Sequence, residues 1–318
     1  MCKLIYLLLT YFGGTYLNTN QKAIEMFEQN EYEEAMELFQ QAVLESRDVQ
    51  SLNNLAWMYL YEEEDDDKAL ELIKEAVKMN PSSYFPYNIL GEIYIRQEQW
   101  KEAKEALRKS ISIQPSNEAH LNLAVAYFNL GELEDASEFF LRAAGDSDNA
   151  MYNHVKCLID IGRITEAKEK LDAFNEEADD FAGEIDVADL YVEVNCFNEA
   201  IHWFEKGYKD YGKGSYWVRR FVYALFKTNN FSLMNQVIQE AIEEKEEEIE
   251  DVKKEEVEEN WTETDKKELI EKLMDEYNQY KDMINLITSG YVPKLEFETY
   301  RTGACYLFGC ERHNHPEY

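Results

Sequence analysis

The stretch CYLFGCERHNH near the C-terminus gathers the side chains of this chain best suited to chemistry: Cys305, Cys310, His313 and His315. Two thiols and two imidazoles form a zinc-competent donor set. Their spacing, Cys-x4-Cys-x2-His-x-His, is not that of an ordinary finger, because the His-x-His step is too short and no long loop separates the two pairs. A packed aromatic tail with incidental cysteines, or a redox-sensitive thiol pair, fits the same residues. A metal-dependent activity of the tail would need the metal itself.

A second candidate is a set of carboxamides. Asn54, Asn122 and Asn153 occupy one equivalent slot of successive amphipathic segments, and Asn88 lies one position away. Each amide offers a donor and an acceptor, which suits bridging the backbone of an extended peptide. Asparagine is also common on polar helix faces. Enzyme signatures are missing: the sequence holds no Gly-rich phosphate loop, no G-x-S-x-G elbow and no H-E-x-x-H. His120 and His154 read as groove or packing residues, and His202, beside Trp203, as structural. The many carboxylates are what helix surfaces supply by chance. A non-catalytic protein is expected.

The elements that position these residues follow from periodicity. In YFPYNILGEIYIRQEQWKEAKEALRKSISIQP, Leu90, Gly91 and Tyr94 share one helical face. After a short polar turn, Trp100, Ala103, Leu107 and Ser110 share another. Two tightly joined amphipathic helices result, with Gly91 and Ala103 at their crossing and Pro115 marking the exit. The pattern recurs with Tyr32, Ala35, Phe39 and Ala42, with Leu55, Ala56, Tyr59, Ala69, Ile73 and Ala76, and with Leu123, Ala124, Tyr127, Ala136, Phe140 and Ala143. The crossing alanines Ala35, Ala69, Ala103 and Ala136 recur at roughly 34-residue intervals. Weaker copies keep Gly162, Ala167 and Leu171, then Ala188, Tyr191, Phe197, Ala200, Phe204 and Gly207. In the last, Tyr223 and Phe231 remain but Met234 takes the small site.

This period and these positions resemble the tetratricopeptide repeat (TPR) family. The resemblance covers most of the chain and implies an all-α fold: a right-handed superhelical solenoid of helix pairs, with a concave groove lined by the first helix of each pair. The asparagines resemble the ladders of peptide-binding members, so Asn54, Asn88, Asn122 and Asn153 are the expected peptide contacts. The resemblance does not extend to the carboxylate clamp of chaperone-binding members. At the matching positions Asn20, Ile24, Asn54, Phe85 and Ile89, the cationic partners are missing.

The expected organisation is an apolar segment over 1–17, a repeat array of about seven pairs over 18–242, and an acidic segment over 243–261. An amphipathic capping helix over 262–290 and an irregular aromatic Cys/His tail over 291–318 complete it. The first segment, MCKLIYLLLTYFGG, reads as a capping helix, a signal-like run without a clear cleavage site, or a misplaced start. It is too short to span a bilayer. In the acidic segment dense glutamates oppose a helix and suit a solvated stretch. Thr262 and Asp265 begin the capping helix as a modified capping box, Leu269, Leu273, Tyr277, Tyr280 and Ile284 form its stripe, and Gly290 stops it.

The formal net charge is −33, from 65 acidic and 32 basic side chains. Such a surface repels nucleic acid and anionic membranes and attracts basic partners by long-range steering, and a neutral or basic protein or peptide is the expected partner. Five scattered cysteines in a long chain point to a reducing, cytoplasmic setting rather than a disulfide framework. The leading expectation is an interaction protein binding a protein or extended peptide in the groove, as scaffold, co-chaperone or regulator. No cofactor is expected beyond zinc at the tail. The alternative is an acidic, immunity- or antitoxin-like inhibitor that covers a basic effector.

Overall fold

The computed structural model describes residues 18–145, 147–178, 181–257, 261–299 and 302–318. The apolar segment 1–17 lies outside them. Apart from one isolated bridge residue, the described elements are all helices. They run α1 (Thr19–Glu28), α2 (Tyr32–Glu45), α3 (Val49–Tyr61), α4 (Asp66–Lys78), α5 (Phe85–Arg96), α6 (Trp100–Ile113), α7 (Asn117–Asn129) and α8 (Leu133–Ala144). They continue with α9 (Asp148–Asp160), α10 (Ile164–Leu171), α11 (Glu184–Glu193), α12 (Phe197–Gly207), α13 (Ser215–Lys227), α14 (Phe231–Lys254) and α15 (Glu263–Thr288).

Each odd-numbered helix from α1 to α13 pairs with its successor. The turn inside every pair carries one left-handed residue: Asn30, Glu64, Glu98, Gly131, Gly162, Asn195 and Asn229. Asparagine and glycine tolerate this conformation best. Several first helices are N-capped by a short polar side chain, Asp48 on α3, Ser116 on α7 and Ser147 on α9, each satisfying an otherwise orphaned N–H.

The expected crossing residues are buried. Ala35, Ala69, Ala103, Ala136, Ala167 and Ala200 are 0% exposed, and Met234 in the degenerate last pair is 5% exposed. Gly91 shows why the site must be small: a Cβ there would stand 2.5 Å from Leu107 Cγ, inside the α5–α6 contact. Gly91→Val is therefore expected to push the two helices apart and destabilise the protein by about 1–3 kcal/mol, an overpacking cost that a lowered urea midpoint would register.

The chain divides into two units, Met1–Gly145 with Arg301–Tyr318, and Asp146–Tyr300. Each has its own apolar core. In the first unit Phe39, Ile73, Ile89 and Leu52 are fully buried, joined by Leu307 and Phe308 of the tail. In the second unit Leu190, Phe204, Phe221 and Tyr280 hold the centre.

The acidic stretch differs from the solvated segment expected over 243–261, because α14 continues through it to Lys254. The glutamates occupy an outer face while the sparse apolar residues make a seam: Ile249 and Val252 pack with Leu273 of α15. Lys245, nearly buried, supplies the offsetting charge, with Nζ 2.6 Å from Glu248 and 2.9 Å from Glu276. Helix α15 starts at the Thr262–Asp265 capping box and buries Leu273, Tyr280, Met283 and Ile287 against α13 and α14.

Candidate functional site

In the first unit the C-terminal segment lies along the first helices of the four pairs, and the carboxamides hold its backbone. Asn54 on α3 makes a reciprocal pair with Phe308: its Nδ2 donates to the Phe308 carbonyl at 3.0 Å and its Oδ1 accepts the Phe308 N–H at 2.8 Å. Asn122 on α7 does the same at Thr302, at 2.9 and 3.4 Å. Asn53 Nδ2 donates to the Tyr306 carbonyl at 2.6 Å, and Trp57 Nε1 to that of Ala304 at 3.0 Å. Residues 302–308 are thereby held by main-chain groups, the mode that reads an extended backbone and tolerates varied side chains.

Asn88 and Asn153 behave differently. Asn88 is buried in α5, accepts from Ser110 Oγ of α6, and lies beside the Tyr306 side chain. Asn153 is wholly buried in α9 of the second unit. Thus Asn54 and Asn122 are brought to one bound backbone, and Asn88 and Asn153 are not.

Aromatic packing fixes the tail's register. The Phe85 ring on α5 meets Phe308 at 4.9 Å, Tyr306 at 5.6 Å and His315 at 4.7 Å between centroids. Gly303 sits so close to Tyr61 and Glu92 that a Cβ would collide with both. Burial raises the Tyr61 and Tyr306 hydroxyls, with Glu92 adding to the effect in each case, so both stay protonated. Beyond Phe308 the chain turns at Gly309, whose φ is +81°, and closes a compact loop. In that loop Gly309 N–H donates to the Pro316 carbonyl at 3.0 Å and His315 N–H to the Cys310 carbonyl at 2.8 Å. The loop docks on α1: Glu28 Oε1 accepts the N–H groups of Glu311 at 2.6 Å and Arg312 at 3.1 Å, and the Arg312 guanidinium covers the Phe27 ring at 5.7 Å. The end of the chain is gripped by Gln50, which bonds Glu317 and accepts the Tyr318 N–H at 3.1 Å.

Of the four zinc-competent residues, the structure gathers three. One ligand atom each from Cys305, Cys310 and His313 lies within 4.8 Å of the others, with Cys310 Sγ 3.3 Å from His313 Nδ1. His315 is half-buried instead, with Nδ1 3.1 Å from the Leu307 carbonyl. Burial pushes the Cys305 thiol up to about 12, raises Cys310 and lowers the His315 imidazole.

The second unit holds residues 291–299 along its own first helices. Arg220 of α13, 0% exposed, donates Nη1 to the Pro293 carbonyl at 2.9 Å. The same guanidinium grips Asp189 of α11 through Nε at 2.6 Å and Glu193 through Nη2 at 2.7 Å. Tyr216 accepts the Glu296 N–H at 2.8 Å, and Phe297 stacks on Tyr152 of α9 at 5.4 Å. The buried Arg220–Asp189 pair went unforeseen in the sequence, as did Asn53, Trp57 and Gln50.

Seven consecutive helix pairs, joined by left-handed turns and crossing on buried small residues, decide the type of repeat. The described helix pairs have the tetratricopeptide repeat (TPR) fold. A family model for ChAPs (Chs5p-Arf1p-binding proteins) matches residues 22–132 of this chain, well under half of it. No curated protein matches. Among solved structures the chain is similar to YrrB, described as a TPR protein with an unusual peptide-binding site, at 22% identity and a TM-score of 0.45, covering 54% of this chain and 91% of that one. It is similar to PilF of Pseudomonas aeruginosa at 14% identity and a TM-score of 0.48, covering 60% and 89%. A MamA from Desulfovibrio magneticus gives 16% identity and a TM-score of 0.44, covering 48% and 89%.

Proposed function

We propose that this protein is a non-catalytic interaction protein whose first unit binds an extended segment of a protein partner along α1, α3, α5 and α7, in a groove that its own residues 302–318 also fit. The observation that carries the reading is the reciprocal pair between Asn54 and the Phe308 backbone. A side chain that satisfies both the donor and the acceptor of one residue recognises backbone in extended form, whatever sequence carries it. Residues 302–310 contain no charged side chain, so a neutral extended segment is the partner chemistry that fits. The matching family is described by its binding of named proteins, and only that class of partner is carried over here. No helix among the described residues is long and apolar enough to cross a membrane. The free thiols Cys157, Cys196, Cys305 and Cys310 favour a reducing compartment such as the cytoplasm.

Calorimetric titration tests the groove. A chain ending at residue 299 should bind a synthetic peptide of residues 302–318 saturably. With Asn54→Ala and Asn122→Ala together, each removing a reciprocal pair, affinity should fall at least about 100-fold, since two lost buried pairs exceed about 2.7 kcal/mol. Equal affinity in the double variant would remove the groove reading. Binding that instead targets a folded basic protein and vanishes with moderate salt would favour the inhibitor.

A further inference from the structure

We propose that Cys305, Cys310 and His313 form a binding site for a soft divalent cation of the zinc class, whose fourth position faces Glu28 of α1. The claim stands on convergence. Zinc–sulfur and zinc–nitrogen bonds of about 2.3 and 2.0–2.1 Å make tetrahedral ligand–ligand edges of roughly 3.5–3.8 Å. Cys310 Sγ and His313 Nδ1 are 3.3 Å apart, and Cys305 Sγ falls within 4.8 Å of both, so small rotamer adjustments close the triangle. Two thiolates with one imidazole select zinc over magnesium or calcium, which prefer oxygen ligands.

The backbone brings these three together without a metal's help. Cys305 arrives on the extended segment fixed by Trp57 and Asn53, which hold the carbonyls on either side of it. Cys310 and His313 belong to the loop that begins at Gly309, where Asn314 N–H donates to the Glu311 carbonyl at 3.0 Å. That turn shortens the distance the sequence spacing alone leaves open. It also sends His315 elsewhere, to the Leu307 carbonyl and the Phe85 ring, so the site uses one imidazole and not two. Glu28 is already beside the cluster: its carboxylate takes two loop N–H groups and lies against the Cys310 thiol. It is placed to hold a water coordinated at the fourth position. On binding, each thiol releases its proton to solvent and the dication takes up two thiolates and a neutral imidazole.

Because two ligands sit in the loop docked on α1 and the third in the segment held by α3, a bound cation ties the tail down as a unit. Metal binding itself does not depend on a partner using the groove, so the two ideas fail separately.

The experiment uses the full chain, prepared without chelator under argon with all thiols reduced, then demetallated and titrated with Co²⁺ as a spectroscopic probe. One equivalent should produce a near-UV thiolate-to-cobalt band and visible bands of tetrahedral type, and Zn²⁺ should bleach them. Cys310→Ser and His313→Ala should each weaken Co²⁺ binding at least about 100-fold, while His315→Ala and Cys157→Ser should leave stoichiometry and spectrum intact. Helical circular dichroism identifies any variant that fails to fold. The proposal is overturned if no thiolate-to-cobalt band forms, if Cys310→Ser binds as the parent does, or if His315→Ala abolishes the site while its helical circular dichroism matches the parent.

Discussion

Arg220→Met should destabilise the second unit by about 3–5 kcal/mol at neutral pH, the cost typical of breaking a buried pair on one side. The guanidinium is fully enclosed, and its bonds reach the Asp189 carboxylate and carbonyl, Glu193 and the Pro293 carbonyl. Methionine preserves most of the volume but leaves the Asp189 carboxylate, only 4% exposed, without its counter-charge. The effect has a pH signature. Burial pushes Asp189 up to about 6 even against the opposing pull of Arg220, and without that pull it rises further. A carboxyl whose folded pKa exceeds its unfolded one stabilises the fold below the unfolded value, near 3.9, and loses that contribution as pH rises through the folded value. The deficit of the variant should therefore be smaller at pH 5 than at pH 8. Urea unfolding followed by hydrogen exchange at α11 and α13, at both pH values, reads it. A deficit below about 1 kcal/mol, or one that grows on acidification, would contradict this account.

The second large effect concerns the tail. In Asn54→Leu, the Phe308 N–H and carbonyl lose both partners at a site where Phe308 is 1% exposed. An unsatisfied buried backbone group costs about 1–3 kcal/mol, so two cost about 2–6 kcal/mol. The segment should then undock rather than bear the penalty, since solvent can satisfy those groups. Hydrogen exchange at residues 304–310 should accelerate by at least about 30-fold, the lower end of that range, while α3 and α4 keep their protection. Asn88→Ala, whose amide bonds Ser110 rather than the tail backbone, should accelerate it far less. Equal protection in parent and Asn54→Leu would mean the aromatic contacts alone retain the tail.

What could be read from the chain beforehand divides along physical lines. Pairing was legible because it is local: Ala35, Ala69, Ala103 and Ala136 lie on amphipathic faces whose period alone fixes the crossing, and each is buried. Asn54 and Asn122 were legible as groove residues by their place in the repeat. Their occupant was not. The contact between Asn54 and Phe308 joins residues far apart in sequence, and no periodic pattern encodes such a pairing. Asn53 was hidden by its neighbour, since adjacent helix positions point about 100° apart and only one was expected inward. Arg220 and Asp189 did leave a trace: Arg220 follows Arg219 inside the otherwise apolar WVRRFVYAL, and Asp189 is the one charge in VADLYV. A charge at a core-facing position signals a buried pair. Ile249 and Val252 were visible as sparse apolar contacts among the glutamates of 243–261, but the helix they belong to was not, because a few apolar residues at the right spacing suffice when a facing helix and Lys245 are supplied from α15 and α14.

The order in which the chain is made gives the tail's position a temporal meaning. The helices that grip residues 302–318 are complete by Gly145, so the ribosome releases them with the receptor surface bare. At about 5–20 residues per second, roughly ten to thirty seconds pass before the occupying segment emerges. If a partner uses the groove as proposed, one encountered during translation would meet no intramolecular competitor, whereas one arriving later would have to evict a tethered rival.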